Sequence, residues 1–171
     1  GTHTHTQRER ERERVCVYVC LKERWRKMSW NFVDDFDESE GDLDIVKRAL
    51  AAGEDINQGD KYGMTVLHHA CFWSWGAGEV KHVSFLLDNG ADINQPDNNW
   101  WTPLHIASYT CKPEICQLLL ERGANVNQAN NDGLTPLHFA CFWGRLGICK
   151  LLMKHGADQT LVDETARDLA R

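Results

Sequence analysis

The sequence has no long apolar run. Its longest, Val15 to Leu21, is seven residues, far short of the ~20 that a membrane-spanning helix needs. That run follows an Arg-rich stretch, as in a minimal signal peptide. Lys22, Arg24, Arg26 and Lys27 come next, where a secretory leader would carry a small-residue cleavage site. Close cysteine pairs are lacking too. The seven cysteines stand at 16, 20, 71, 111, 116, 141 and 149. An odd count without a CxxC pair speaks against a disulfide framework and against a zinc site. It fits a reducing, intracellular setting, cytoplasmic or nuclear. There is no glycine-rich phosphate cradle, no nucleophile elbow and no zinc-protease helix. The expectation is a protein that is not an enzyme, with no cofactor, no metal and no small-molecule substrate.

Positive charge is scarce outside the N-terminal segment. Residues 1–31 hold eight Arg/Lys and four Glu, a balance of +4. Residues 32–171 hold eleven Arg/Lys against twenty-one Asp/Glu, a balance of −10. A folded part this acidic repels phosphate backbones, which argues against nucleic acid as its ligand. A basic protein surface suits it better.

The first twenty residues run in two-residue alternations of Thr-His, Arg-Glu and Val-Cys. Each is what a dinucleotide repeat encodes. The chain opens at Gly1 and its first methionine is Met28. Residues 1–27 therefore read as a low-complexity tail, disordered by composition, with natural translation expected to begin at Met28.

What is abundant is internal repetition. The pattern Thr-x-Leu-His-x-Ala occurs at Thr65 to Ala70, Thr102 to Ala107 and Thr135 to Ala140, spaced by 37 and 33 residues. A second pattern, Gly-(Ala)-Asp/Asn-x-Asn, occurs at Gly53 to Asn57, Gly90 to Asn94 and Gly123 to Asn127, and more weakly at Gly156 to Asp158. Thr followed by Pro starts a helix, with Thr as cap and Pro at the first helical position. In the last unit Leu137, Ala140 and Cys141 share one helix face. A second helix is expected over Gly147 to Lys154, ended by Gly156 in a left-handed turn. The polar segment from Gly123 to Thr135 reads as a hairpin-like loop. One such helix pair cannot bury its own apolar face, so neighbours must stack.

This unit resembles the ankyrin repeat, which carries the TPLHxA signature. The resemblance covers about residues 32–171. It implies an all-α repeat fold, a solenoid of stacked helix-turn-helix units with hairpin-like loops, and a concave groove in which family members bind protein partners. The register divides the chain into a tail at 1–27, an N-terminal capping half-repeat at 28–62, and repeats at 63–99, 100–132 and 133–162. Residues 163–171 read as the start of a truncated C-terminal cap, so the protein is expected to continue past Arg171. Within the half-repeat, Gly41 to Leu50 reads as a second helix, and Phe32 to Glu40 as a degenerate first helix. Four extra residues fall within Trp73 to Gly78.

Carried over position by position, the family's groove falls on three sets of residues here. After the alanine pair come Phe72 and Trp73, then Tyr109, then Phe142 and Trp143. The loop tips carry Tyr62 and Met64, then Trp100 and Trp101, then Leu134. The position between the signature His and Ala holds His69, Ile106 and Phe139. Trp75, in the insertion, is a further candidate anchor. Aromatic anchors dominate binding hot spots. The opposing reading has Phe72, Phe142, Trp73 and Trp143 filling core between repeats. Trp100 replaces the loop glycine seen at Gly63 and Gly133, a position expected to take positive φ.

The recurring histidines 68, 105 and 138 are too far apart to share a metal, and in the family this residue ties loop to helix. Cys71, Cys116, Cys141 and Cys149 read as small buried hydrophobes. The family resemblance also marks Asn94 and Asn127 as hydroxylation candidates. The leading functional expectation is a protein–protein interaction module, an adaptor or scaffold. Its partner would offer a segment with apolar anchors and basic residues. The alternative is a regulatory or targeting segment of a larger enzyme or complex. Asn94 to Asp97 with Trp101 to His105 is similar to a stretch in myosin phosphatase targeting subunits. Ala140 to Gly144 is similar to one in integrin-linked kinase. Those phosphatase subunits carry a basic-Val-x-Phe docking motif ahead of their repeats. Lys27 to Phe32 lacks its valine, which weakens that alternative.

Overall fold

The computed structural model describes residues 43–72 and 79–161, with side chains from 46 to 72 and from 80 to 161. The chain divides into two units, Gly1–Phe36 and Asp37–Arg171, and the described residues all belong to the second. The expected degenerate helix at Phe32 to Glu40, the insertion at Trp73 to Gly78 and the cap beginning at 163 lie outside the described residues.

Seven helices are described: α1 (Leu43–Ala51), α2 (Val66–Phe72), α3 (Glu79–Asp88), α4 (Pro103–Tyr109), α5 (Pro113–Glu121), α6 (Pro136–Phe142) and α7 (Leu146–Lys154). Among the described residues there is no strand. The short helices α2, α4 and α6 pack in series. The longer α3, α5 and α7 form a parallel series behind them, and each short helix packs on the long helix that follows it. This is a two-layered helical solenoid. α1 meets α3 through Lys47, whose Nζ lies 5.9 Å from the centre of the Phe85 ring.

The sequence explains each joint. Thr102 and Thr135 sit in extended backbone just ahead of α4 and α6, with proline in the first turn. Leu67, Leu104 and Leu137 are buried on the short helices, facing Val83, Leu86, Ile115, Leu119, Ile148 and Leu152 of the long ones. Burial of side chains this size contributes roughly 1.5–3 kcal/mol each. No single pair could gather that much alone.

Between helix pairs run hairpin-like turns, each closed by one side chain. Asp60 Oδ1 accepts from the N–H groups of Tyr62 and Met64 at 2.7 and 2.9 Å. Asp97 Oδ1 does the same for Asn99 and Trp101, and Asn130 Oδ1 for Asp132 and Leu134. Successive hairpins are joined by Asn98 N–H to the Tyr62 carbonyl at 2.9 Å and Asn131 N–H to the Asn99 carbonyl at 3.1 Å. Lower down, the amides of Asn57, Asn94 and Asn127 accept from Asp92, Asn125 and Asp158 N–H at 2.7 to 2.8 Å. The Gly-(Ala)-Asp/Asn-x-Asn pattern is thus a ladder of inter-repeat hydrogen bonds. Behind it, Arg122 Nη1 reaches Asp88 Oδ1 at 2.7 Å and Nη2 reaches Ser84 Oγ at 3.2 Å, tying α3 to the end of α5.

Candidate functional site

The histidines link all three levels. His68 Nδ1 accepts from Thr65 N–H at 3.0 Å, and Nε2 stands 3.0 Å from the Trp101 carbonyl of the next hairpin. His105 repeats this with Thr102 and Leu134, and His138 with Thr135 and Leu161. An N–H can only donate and a carbonyl can only accept. Each ring is therefore the neutral Nε2–H tautomer. Burial pushes His68 and His105 down to about 4 and lowers His138 as well. The structural role expected of these residues is what the geometry gives. Among the described residues, no cluster of His, Cys, Asp or Glu could hold a metal ion.

The backbone of Trp101 is held on both sides by this scheme, as that of Leu134 is one repeat later. The Trp101 N–H donates to Asp97 Oδ1 at 2.9 Å, and its carbonyl accepts from Asp97 N–H at 2.8 Å and from His68. The Trp101 indole heads a row of rings along the short-helix layer. Trp101 and Phe139 lie 4.5 Å apart between centroids, Tyr109 and Trp143 5.7 Å, and Phe142 and Trp143 5.1 Å. Tyr109 is edge-on to both Trp101 and Phe139. Edge-on and tilted pairs at these distances are the favoured geometry of aromatic contacts. Partial burial raises the Tyr109 phenol and keeps it neutral.

The expected contact residues divide sharply by burial. Trp100 is 53% exposed and Phe142 is 73% exposed. Tyr62, Phe72, Trp101, Tyr109, Leu134, Phe139 and Trp143 are half-buried. Lys61 Nζ lies 5.1 Å from the centre of the Tyr62 ring. Met64, His69 and Ile106 are each only 4% exposed. These three are corrected to core positions, because the neighbouring short helices and hairpins close over them. Trp73 and Trp75 lie outside the described residues.

His69 instead faces Asp60, with Nε2 3.6 Å from Oδ2. Burial raises the Asp60 carboxyl, but the His69 ring and the Met64 and Tyr62 N–H groups outweigh it and hold it below its usual value. The sequence carried a signal for this hairpin clasp: Asp60, Asp97 and Asn130 all precede the signature threonine by five residues.

Trp100 takes φ 63, where Gly63 and Gly133 take 77 and 75. A bulky residue in that region is strained by roughly 1–3 kcal/mol. Cys111, at φ 61, occupies the place of Gly144 one repeat later, a second such position that sequence reading missed. Cys71, Cys116 and Cys149 are buried as expected. Cys141 is exposed, which corrects the expectation. Its counterparts Cys71 and Ser108 are buried, so the repeat position does not by itself set exposure.

A stacked helix-pair solenoid with this stitching defines a repeat-protein recognition scaffold. The family model described as Ankyrin repeats (3 copies) matches residues 38–130 and 78–163. The chain belongs to the ankyrin-repeat family, whose repeats generally serve as protein–protein interaction modules. No curated protein is similar enough to be matched to it. Among the described residues, no helix is long and apolar enough to cross a membrane.

Proposed function

We propose that this domain is an adaptor or scaffold that binds a partner protein along the ring row of its short helices, on the concave side that ankyrin stacks present. One observation carries the reading. The row Trp101, Phe139, Tyr109, Trp143 and Phe142 is continuous by ring contact and ends in an aromatic that is 73% exposed. Trp100 is also held open to solvent at a strained φ of 63. A large exposed ring gains nothing for folding, and strain retained at one is a mark of function.

The partner offers a segment with apolar anchors that insert between the rings. Basic residues on it answer the −10 balance of residues 32–171. A standard interface of about 1,600 Å² in total fits such a surface. The setting is intracellular, in keeping with an odd number of cysteines and no CxxC pair. The test is affinity capture with the full chain beside a Trp100→Gly, Phe142→Ala variant shown by circular dichroism to keep the fold. A partner captured by the parent and lost by the variant supports the ring row as the binding site. Equal capture by both shifts the site to another face.

A further inference from the structure

Cys141, near the end of α6, and Cys149, in the first turn of α7, bring their sulfur atoms to 3.6 Å. Cys141 is exposed and Cys149 is only 7% exposed. One repeat earlier the same two positions hold Ser108 and Cys116, with Oγ and Sγ 3.8 Å apart. One repeat before that they hold Cys71 and Val83. Among the described helix pairs, only α6–α7 joins two thiols at this contact.

We propose that Cys141 and Cys149 form a reversible disulfide on exposure to peroxide, which makes the α6–α7 pair a redox-responsive element. Closing the bond requires the sulfurs to approach by about 1.5 Å. The two thiols divide the work by exposure. Peroxide reaches Cys141 at the surface. Cys149 is shielded, and burial together with the adjacent Cys141 sulfur raises its thiol, so Cys149 resolves rather than attacks first.

In the first step the Cys141 thiolate attacks one oxygen of hydrogen peroxide. The O–O bond breaks, the departing hydroxide takes up a proton as water, and Cys141 becomes a sulfenic acid. In the second step Cys149 Sγ attacks Cys141 Sγ. The S–O bond breaks, and the leaving oxygen departs as water with the proton from Cys149. Two thiols lose two electrons and one peroxide is reduced to two waters. A thiol reductant restores the pair by exchange. Intracellular disulfides of this kind are transient and serve as sensors.

The test uses the full chain treated with hydrogen peroxide and quenched with N-ethylmaleimide. Before alkylation the intact mass should fall by two hydrogen atoms, and the quenched chain should carry two fewer N-ethylmaleimide groups than the untreated chain alkylated in denaturant. Trypsin cuts at Arg145, between the two cysteines, so the bond should appear as two joined peptides that separate on reduction. Cys141→Ser and Cys149→Ser should each abolish the joined species. Circular dichroism confirms that Cys141→Ser, an exposed and nearly isosteric change, leaves the fold intact. In the untreated chain N-ethylmaleimide should label Cys141 about tenfold or more faster than Cys149. Three results would overturn the proposal: joined peptides that pair other cysteines, Cys141 advancing to sulfinic acid while Cys149 stays reduced, or Cys149 labelling first.

Discussion

Trp101 and Phe139 belong to neighbouring repeats, yet their ring centroids lie 4.5 Å apart at an interplanar angle of 41°. The contact joins the hairpin ahead of α4 to the body of α6, so it both bonds two repeats and begins the ring row. Trp101→Ala and Phe139→Ala should each cost about 2–3 kcal/mol, somewhat less than a fully buried ring. A double-mutant cycle read by urea unfolding should show coupling of roughly 0.5–1.5 kcal/mol. Additive losses would mean that the rings lie together without holding the repeats together.

Phe142 should behave in the opposite way. It is 73% exposed, so Phe142→Ala should change stability by less than about 0.5 kcal/mol. A loss as large as that of Phe139→Ala would make it core.

Trp100→Gly should stabilise the domain by about 1 kcal/mol, because it removes a side chain from a backbone at φ 63. The gain is read as a higher urea midpoint with an unchanged slope. It should come with weaker partner binding.

Gly63 and Gly133 share nearly the same φ but not the same surroundings. A Cβ on Gly63 would lie 2.5 Å from Asn98 Oδ1 and 2.8 Å from Asn98 N, whereas one on Gly133 meets nothing within 4 Å. Gly133→Ala should therefore cost only the left-handed backbone penalty of about 1–2 kcal/mol. Gly63→Ala should cost at least about 1 kcal/mol more, by breaking the hairpin joint through overpacking. Thermal melts of the two variants side by side decide this.

His68 and His105 give a pH signature. Burial sets them near 4 in the folded chain against an ordinary 6.5. As pH falls the unfolded chain takes up these protons first. Stability is thus complete above about 6.5 and is lost through the window down to about 4, by up to about 3 kcal/mol for each ring. Urea unfolding at pH 7 and pH 5 should show the loss, and equal midpoints would contradict it.

Much of this was legible in the sequence because the repeat period fixes register. His68 and Asn57 each recur, and each proves to be half of a hydrogen bond to the next repeat, while the recurring Thr65 holds the His68 ring within its own repeat. The strained φ of Trp100 followed from glycine at the equivalent positions. Burial was less legible. His69, Ile106 and Phe139 share one register position, yet the first two are closed over by neighbouring repeats and Phe139 is half-open. Cys141 is exposed although its counterparts Cys71 and Ser108 are buried, so a shared repeat position does not by itself set burial. Cys111 was missed because a cysteine at a glycine site leaves no mark unless the repeats are aligned residue by residue.

The most direct test of the binding site is calorimetric. Once a partner segment has been captured, its Kd for the full parent chain is compared with that for Phe142→Ala, whose fold should be untouched. A loss of affinity of about tenfold or more, the mark of a hot-spot ring, is the expected result. A Kd unchanged within measurement error would contradict the ring row as the place where this domain binds.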